Sequence, residues 1–100
     1  MSKYITSDFE KALLKKGFQE YTTHHKMFLF YWKGKKTDIR TRISHGEKDF
    51  DDSLLNQRKK QIKLNTKQQI IDFINCPMSK EYYINFLINI GKIKPEKKDL

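Results

Sequence analysis

Residues 27–43 read MFLFYWKGKKTDIRTRI, and this stretch decides how the chain folds. The segment Met27–Trp32 is a run of apolar and aromatic residues, which favour β-strands. The segment Thr37–Ile43 alternates strictly between Thr or Ile and Asp or Arg, so a strand there has one apolar face and one mostly basic face. Gly34 lies in the short link between the two segments. The stretch therefore predicts a β-hairpin.

The length of the hairpin loop determines which residues face the core. With a loop of two or four residues, the numbers of paired residues sum to an odd value. The core face then consists of Phe28, Phe30, Trp32, Thr37, Ile39, Thr41 and Ile43. The opposite face then carries Met27, Leu29 and Tyr31 among Asp38, Arg40 and Arg42, an aromatic and basic mixture that suits nucleic acid. A three-residue loop would exchange the two faces.

A helix and a strand are predicted before the hairpin. Ser7 and Glu10 have the spacing of a capping box, so an amphipathic helix should begin there. Gly17 can close the C-terminus of this helix. The next segment, Phe18–Thr23, is rich in aromatic and β-branched residues, and we expect it to form the first strand.

A second helix is predicted after the hairpin and a loop at 44–50. Asp51 or Asp52 caps this helix, which runs to about Lys63. Its inward residues are Leu54, Leu55 and Ile62, and its outer face carries Arg58, Lys59, Lys60 and Lys63. The acidic group that precedes it near His45 consists of Glu47, Asp49, Asp51 and Asp52. Carboxylates before a helix ordinarily act as caps and dipole partners, so no metal site is predicted.

A helical hairpin is predicted over residues 65–91, followed by a mobile tail at 92–100. Thr66 and Gln69 form a capping box for the third helix, whose inward residues are Ile70, Ile71 and Ile74. Cys76-Pro77 ends that helix, Ser79 caps the fourth, and Gly91 closes it. The fourth helix carries an apolar stripe of Tyr83, Phe86, Leu87 and Ile90. Because such a stripe needs burial, we expect it to cover the domain, meet a partner or form a homodimer.

The composition limits the class of protein. One hundred residues suit one domain, and a 13% aromatic share supplies enough apolar area for a core. The net charge of +9 favours a polyanionic partner, and nucleic acid is the first choice. The longest apolar run is six residues, far below the roughly 20 that a membrane span needs, so no membrane partner is expected. The chain has a single cysteine, Cys76, and we expect its small side chain to be buried. The presence of only one cysteine favours a cytoplasmic location.

Two adjacent histidines, His24 and His25, precede the aromatic run. An imidazole has an ordinary pKa near 6.5 and can give or take a proton near neutrality. A polyanion held by nearby Lys and Arg side chains could supply the proton that the imidazole accepts. In the alternative interpretation, both histidines are turn residues without a chemical role.

The order and spacing of four short motifs resemble those of the HicA toxins. The motifs are Gly17-Phe18, Thr23-His24, Ile43-Ser44-His45-Gly46 and the basic segment Leu54 to Leu64. The resemblance covers roughly residues 7–64. It implies an α+β fold over residues 1–64 that is like a double-stranded-RNA-binding domain. In that fold the element order is α-β-β-β-α, and the helices lie on one face of a three-stranded antiparallel sheet.

The resemblance also implies an activity. HicA proteins are ribonucleases that cut messenger RNA without a metal or other cofactor, through one essential histidine, and a HicB antitoxin silences them. The position of that histidine corresponds to His24. RNA contacts are then expected from His25, Lys26, Lys33, Lys35, Lys36, Arg40, Arg42, Lys59 and Lys60. The expected partners are messenger RNA and a HicB-type antitoxin.

Two other functions remain open from the sequence. The same basic face could bind structured RNA by shape and phosphate contact, without catalysis. The two C-terminal helices could also form a DNA-binding helix-turn-helix. The second of these helices offers only Lys80 as a cation, however, and its apolar stripe needs burial, which argues against the DNA-binding alternative.

Overall fold

The computed structural model describes residues 3–75 and 77–95. In chain order, the elements are β1 (Lys3–Ile5), α1 (Thr6–Lys15), β2 (Phe18–Thr22), β3 (Lys26–Trp32), β4 (Lys35–Ile43), β5 (Asp49–Asp51), α2 (Asp52–Gln61), α3 (Lys67–Asn75) and α4 (Lys80–Asn89). The strands β2, β3 and β4 form an antiparallel sheet in that order, and β1 pairs with β5 in a separate two-stranded sheet. The predicted α+β class, with a three-stranded antiparallel sheet and helices, is confirmed.

The β3–β4 hairpin has a two-residue loop. Trp32 pairs with Lys35, and the loop residues Lys33 and Gly34 have φ angles of 55° and 77°. Two successive positive φ angles match the right-handed twist of the flanking strands, and glycine adopts such an angle without strain. The short loop confirms the predicted faces, because Phe28 pairs with Thr41 and both are buried.

A bulge in β4 was not predicted. Leu29 pairs with Arg40 and Tyr31 pairs with Lys36, so residues 37–39 of β4 lie opposite a single residue of β3. The Thr37 hydroxyl donates to the Phe30 carbonyl oxygen at 2.7 Å and accepts from the Ile39 amide at 3.2 Å. These bonds satisfy backbone groups that the bulge removes from the ladder. Since two extra residues preserve the alternation, Ile39 still faces the core.

One core joins the sheet to the helices. Tyr83 of α4 is 0% exposed, and its ring centroid lies 5.6 Å from that of Phe30 and 5.1 Å from that of Phe73. Its hydroxyl donates to the Ile62 carbonyl oxygen at 2.7 Å, and burial raises the pKa of this phenol. The helices α3 and α4 therefore pack on the domain itself, with Leu87 of the apolar stripe also fully buried.

Gly17 lets the first helix end close to the sheet. Its φ is 100°, and a Cβ atom there would lie 3.0 Å from Phe30 Cε1. Both observations require glycine, because a side chain would be strained by the backbone angle and crowded by the Phe30 ring. The predicted glycine terminator of α1 is confirmed.

The predicted capping box at Ser7 and Glu10 is wrong. The helix begins at Thr6, and its N-cap is Ile5, two residues before Ser7 and without a side-chain acceptor. The Thr6 amide donates to the Lys48 carbonyl oxygen at 3.0 Å, and the Thr6 hydroxyl donates to Glu47 Oε2 at 2.8 Å. Pairing of β1 with β5 brings these acceptors to the helix start, which replaces the local cap. The strand β5 also lies partly within the segment predicted as a loop.

The three other predicted N-terminal helix caps are confirmed. The Asp51 carboxylate accepts from the Leu54 amide at 3.0 Å, and the Ser79 hydroxyl accepts from the Tyr82 amide at 3.0 Å. The Gln69 amide donates to Thr66 Oγ1 at 3.1 Å. In return, the Thr66 amide donates to Gln69 Oε1 at 3.0 Å. Each cap satisfies an amide that the first helical turn leaves without a partner.

The outer face predicted for α2 requires a correction at Arg58. This side chain is 2% exposed, because it reaches inward to the carboxylate of Glu47. Lys60 is exposed, and Lys59 and Lys63 are half-buried.

The C-terminal segment after α4 was predicted to be mobile. Its described part, residues 92–95, lies beside the β3–β4 hairpin, and Ile93 is 8% exposed. Residues 96–100 lie outside the described range, as does Cys76. Within that range, no helix has both the length and the apolar character needed to cross a bilayer.

Candidate nucleic-acid interface

The face of the three-stranded sheet that points away from the core carries aromatic and basic side chains. On β3 and β4, Met27 pairs with Arg42, Leu29 with Arg40 and Tyr31 with Lys36. Each pair places an apolar residue beside a cation. All six residues are exposed or half-buried. We call this surface the open face. It is the face that the sequence predicted for nucleic acid, except that Lys36 lies opposite Tyr31 and that Asp38, predicted on the same face, lies in the bulge.

The cations of the open face have few protein partners. Among the described residues, none of Lys36, Arg40 and Arg42 forms an ion pair. Lys36 Nζ lies 5.9 Å from the centroid of the Tyr21 ring, within the range of a cation–π interaction. Positive charge on this face is therefore available to an anion.

Tyr21 and Tyr31 form an aromatic pair on the open face. Their ring centroids are 6.4 Å apart with an interplanar angle of 27°, and their hydroxyl groups are hydrogen bonded to each other. This hydrogen bond, with smaller contributions from burial and from charge on Tyr21, raises the pKa of Tyr31. The phenol of Tyr31 is thus neutral at physiological pH and adds no negative charge to the face. Flat neutral rings beside cations are a surface on which nucleic-acid bases stack.

Sequence reasoning missed Tyr21 as a member of this face. The strand β2 pairs with β3 so that Tyr21 lies opposite Met27 and Thr22 opposite Lys26, which leaves a three-residue turn at Thr23–His25. This register places Tyr21 on the same side of the sheet as Met27 and Tyr31. Knowledge of the turn length would have predicted that Tyr21 lies on the open face.

The turn between β2 and β3 carries the two adjacent histidines. His24 is exposed and His25 is half-buried. The Thr23 amide donates to the His25 carbonyl oxygen at 3.0 Å, which closes the turn. Because β4 ends opposite the start of β3, Arg42 lies at the same end of the sheet. The structure therefore brings His24 to the edge of the open face.

A third histidine lies at this end of the sheet. His45, which lies in the loop predicted at 44–50, has its Nε2 atom 3.3 Å from the Thr23 carbonyl oxygen. The turn that carries His24 is thus in contact with the loop that carries His45. The chain contains three histidines, and all three are found here.

An ion pair between the buried Arg58 and the half-buried Glu47 holds the loop that carries His45. Arg58 donates to both carboxylate oxygens of Glu47, at 2.7 and 2.8 Å, and also to the Arg42 carbonyl oxygen at 3.4 Å. Its guanidinium carbon lies 4.6 Å from the centroid of the Phe50 ring. Burial of the Glu47 carboxylate opposes ionisation, but hydrogen bonds from Arg58 and Thr6 and the charge of Arg58 outweigh it, so the pKa of Glu47 is lowered. Both groups are therefore charged at neutral pH.

Comparison of the chain with protein-family models, curated proteins and solved structures finds no match.

The remaining predicted RNA contacts fall into separate groups. Lys26 Nζ lies 3.2 Å from Glu10 Oε2, so part of its charge is already neutralised by α1. Lys33 and Lys35 lie at the tip of the hairpin, at the end of the sheet opposite His24. Lys59 and Lys60 lie on α2 and not on the sheet. A hydrogen bond of 2.6 Å from Thr41 to Gln61 places the end of α2 beside β4.

Lys59 also lines a cavity of about 370 Å³ between α2 and α3. Its wall includes Asp52, which accepts a hydrogen bond from Tyr4 at 2.6 Å and forms an ion pair with Lys67 at 3.2 Å. The hydrogen bond from Tyr4 and that from Lys67 lower the pKa of Asp52. Two charged groups of the wall, Asp52 and Lys67, are thus already paired with each other.

Proposed function

We propose that this protein is an RNA-binding ribonuclease of the HicA toxin type, which cleaves messenger RNA by histidine acid–base catalysis without a metal cofactor. In this proposal, α1, β2, β3, β4 and α2 form a domain like those that bind double-stranded RNA. The element order and the packing of the helices on one side of the sheet support that interpretation. A HicB-type antitoxin would be the protein partner.

The observation that carries the proposal is the position of His24. This imidazole is exposed at the edge of the open face, on the same end of the sheet as Arg42. RNA phosphates drawn to the open face by charge would bring a ribose within reach of an unhindered imidazole. Neither a lone surface histidine nor a cationic sheet alone would favour cleavage, but the two together do.

The chemistry requires two proton transfers. Neutral His24 accepts the proton of a ribose 2′-hydroxyl, whose oxygen attacks the adjacent phosphorus. The new bond between the 2′-oxygen and phosphorus replaces the bond to the 5′-oxygen, which leaves with a proton from a second imidazole. The products are a 2′,3′-cyclic phosphate and a free 5′-hydroxyl. His45 is the candidate donor, because it contacts the carbonyl of the residue before His24. Arg42 would offset the charge that develops on the phosphoryl oxygens.

The decisive experiment compares cleavage of labelled RNA in EDTA by the wild type and by His24→Ala. We expect the variant to be at least about 100-fold slower, since proton transfer by a positioned side chain contributes roughly that factor. Its RNA affinity and its unfolding midpoint should stay close to those of the wild type, because His24 is exposed. The wild-type rate should depend on pH, because the proposed step transfers a proton to an imidazole.

The matched control is His25→Ala, which removes the same group one position along the turn and should cost less activity. Equal cleavage by the wild type and His24→Ala would refute the assignment. Tight binding without cleavage by either protein would instead favour the alternative function, a non-catalytic RNA-binding module that uses the same open face.

A further inference from the structure

A second cationic surface lies at the end of the sheet opposite His24. Five lysines surround one cavity of about 410 Å³ there, and we call them the lysine patch: Lys33, Lys35, Lys36, Lys92 and Lys94. The first three belong to the β3–β4 hairpin, whereas the last two follow α4. No acidic side chain of the described residues lines this cavity.

Two side chains of the hairpin hold the residues after α4 beside it by donating hydrogen bonds to their backbone carbonyl oxygens. The Trp32 indole Nε1 donates to the Lys94 carbonyl oxygen at 2.7 Å, and Lys33 Nζ donates to the Pro95 carbonyl oxygen at 3.0 Å. Between the two tail lysines, Ile93 is buried. The alternation of a buried Ile93 with exposed Lys92 and Lys94 holds both ammonium groups on the surface beside the hairpin.

Five like charges around one cavity repel each other. Among residues 3–75 and 77–95, none of these lysines takes part in an ion pair. Bringing them together therefore costs free energy, which a bound anion would offset. Because the charges lie on two separate segments around a wide cavity, they suit several phosphates of a polymer better than one phosphate group.

Lys36 connects the lysine patch to the aromatic pair of the open face. It lines the patch cavity, and its ammonium group lies 5.9 Å from the Tyr21 ring. A polyanion that leaves the patch along the open face thus meets the rings of Tyr21 and Tyr31. Rings stack on bases only when the bases are not already stacked in a duplex, so this continuity favours a single strand.

We propose that the lysine patch binds the backbone of single-stranded RNA and anchors it at a fixed distance from His24. The inference rests on the proposed RNA-binding function and adds the binding path and its strand preference. The strand β3 separates the two ends of the sheet, and its seven residues span about 20 Å at about 3.3 Å per residue. RNA anchored at the patch crosses the open face, stacks bases on the tyrosine pair and reaches the turn of His24.

The test measures the affinity of a fluorescent oligouridylate whose 2′-oxygens are methylated, so that binding is observed without cleavage. We compare the wild type with the double variant Lys92→Ala/Lys94→Ala over a series of salt concentrations. Removal of two phosphate contacts should reduce the slope of log Kd against log salt by about 1.4, since each contact on a single strand contributes about 0.7. Because the patch is held by backbone carbonyls, the fold should be unaffected.

Lys11→Ala/Lys15→Ala is the matched control, because it removes the same charge from exposed positions on α1. The control should retain a larger part of the wild-type slope than Lys92→Ala/Lys94→Ala retains. The variant Lys92→Arg/Lys94→Arg should have the wild-type slope, since the patch acts through charge. Lys35→Ala, on the other side of the cavity, should lower the slope by about 0.7. An unchanged slope in both the double variant and Lys35→Ala would overturn the proposal. An equal loss for a duplex of the same length would overturn the strand preference.

The outcome is independent of the nuclease assignment. If cleavage depends on His24 but the patch variants keep the wild-type salt slope, RNA binding by the lysine patch is refuted and the nuclease assignment is not. A reduced slope in these variants without any cleavage by the wild type would refute the nuclease and leave the anchor in place.

Discussion

The two faces of β3 differ sharply although they belong to one strand. Phe28 and Phe30 are 0% exposed and lie under the helices, whereas their neighbours Leu29 and Tyr31 remain half-buried on the open face. Alternation along a strand sends adjacent side chains to opposite sides of the sheet. On the covered side, stability comes from the burial of aromatic rings. On the open side, the cations and tyrosines are free to contact a ligand. Adjacent substitutions should therefore change different properties of the protein.

The largest expected effect is on the covered face. Phe30→Ala removes a ring that contacts Phe18 at 5.3 Å and Tyr83 at 5.6 Å between centroids. We expect it to lower the free energy of unfolding by about 3–5 kcal/mol, as is usual for a buried Phe. Leu29→Ala, the adjacent position on the open face, should lower it by about 1 kcal/mol or less. Urea denaturation measures both, and equal losses would contradict the separation of the two faces.

The next effect concerns the buried pair of Glu47 and Arg58. Glu47→Gln leaves the guanidinium of Arg58, which is 2% exposed, without a compensating charge. Loss of one partner of a buried ion pair costs about 3–5 kcal/mol, and the amide oxygen that remains should place the cost near the lower end of that range.

The same pair predicts a pH dependence. The pKa of Glu47 in the folded state is lowered from the ordinary glutamate value of 4.5. Its contribution to stability is thus fully present above that value and is lost as the pH falls toward the folded pKa. Unfolding free energies measured from pH 7 to pH 3 should fall less steeply for Glu47→Gln than for the wild type. Parallel curves would show that Glu47 does not carry this dependence.

The smallest expected effect is on the open face. Tyr31→Ala removes a surface on which a base can stack, worth about 1–3 kcal/mol of binding free energy for single-stranded RNA. Tyr31→Phe keeps the ring and loses only the hydroxyl group, so it should bind nearly as well as the wild type. Fluorescence anisotropy with an uncleavable oligonucleotide measures both affinities. Equal weakening by the two substitutions would assign the effect to the hydroxyl pair with Tyr21 instead.

The sequence predicted the parts of the fold that depend on local patterns. The alternation over Thr37–Ile43 predicted the core face of the hairpin for a loop of two or four residues, and the observed two-residue loop at Lys33 and Gly34 gives that face. The caps at Asp51, Thr66 and Ser79 were also correct, because such caps need only residues that are close in sequence.

Several features that the sequence did not predict depend on contacts with other elements of the fold. Acceptors from residues 47 and 48 replace the capping box predicted at Ser7. Arg58 was predicted to be exposed, but its partner Glu47, which lies in the β4–β5 loop, draws the side chain inward. His45 and the tail lysines became candidates only when the fold placed them beside Thr23 and Trp32. Helical periodicity gives the direction of a side chain, but it does not reveal a charged partner on another element.

The bulge in β4 has a consequence for association between copies of the chain. As an outer strand of the three-stranded sheet, β4 could offer a template to which a strand of another molecule adds. Residues 37–39 interrupt the regular ladder, and a bulge bends the strand and increases its local twist. Farther along, the Arg42 carbonyl already accepts from Arg58. Lysines and arginines along the same strand add electrostatic repulsion between edges. The strand that contributes most of the basic charge on the open face is therefore also protected against edge-to-edge aggregation.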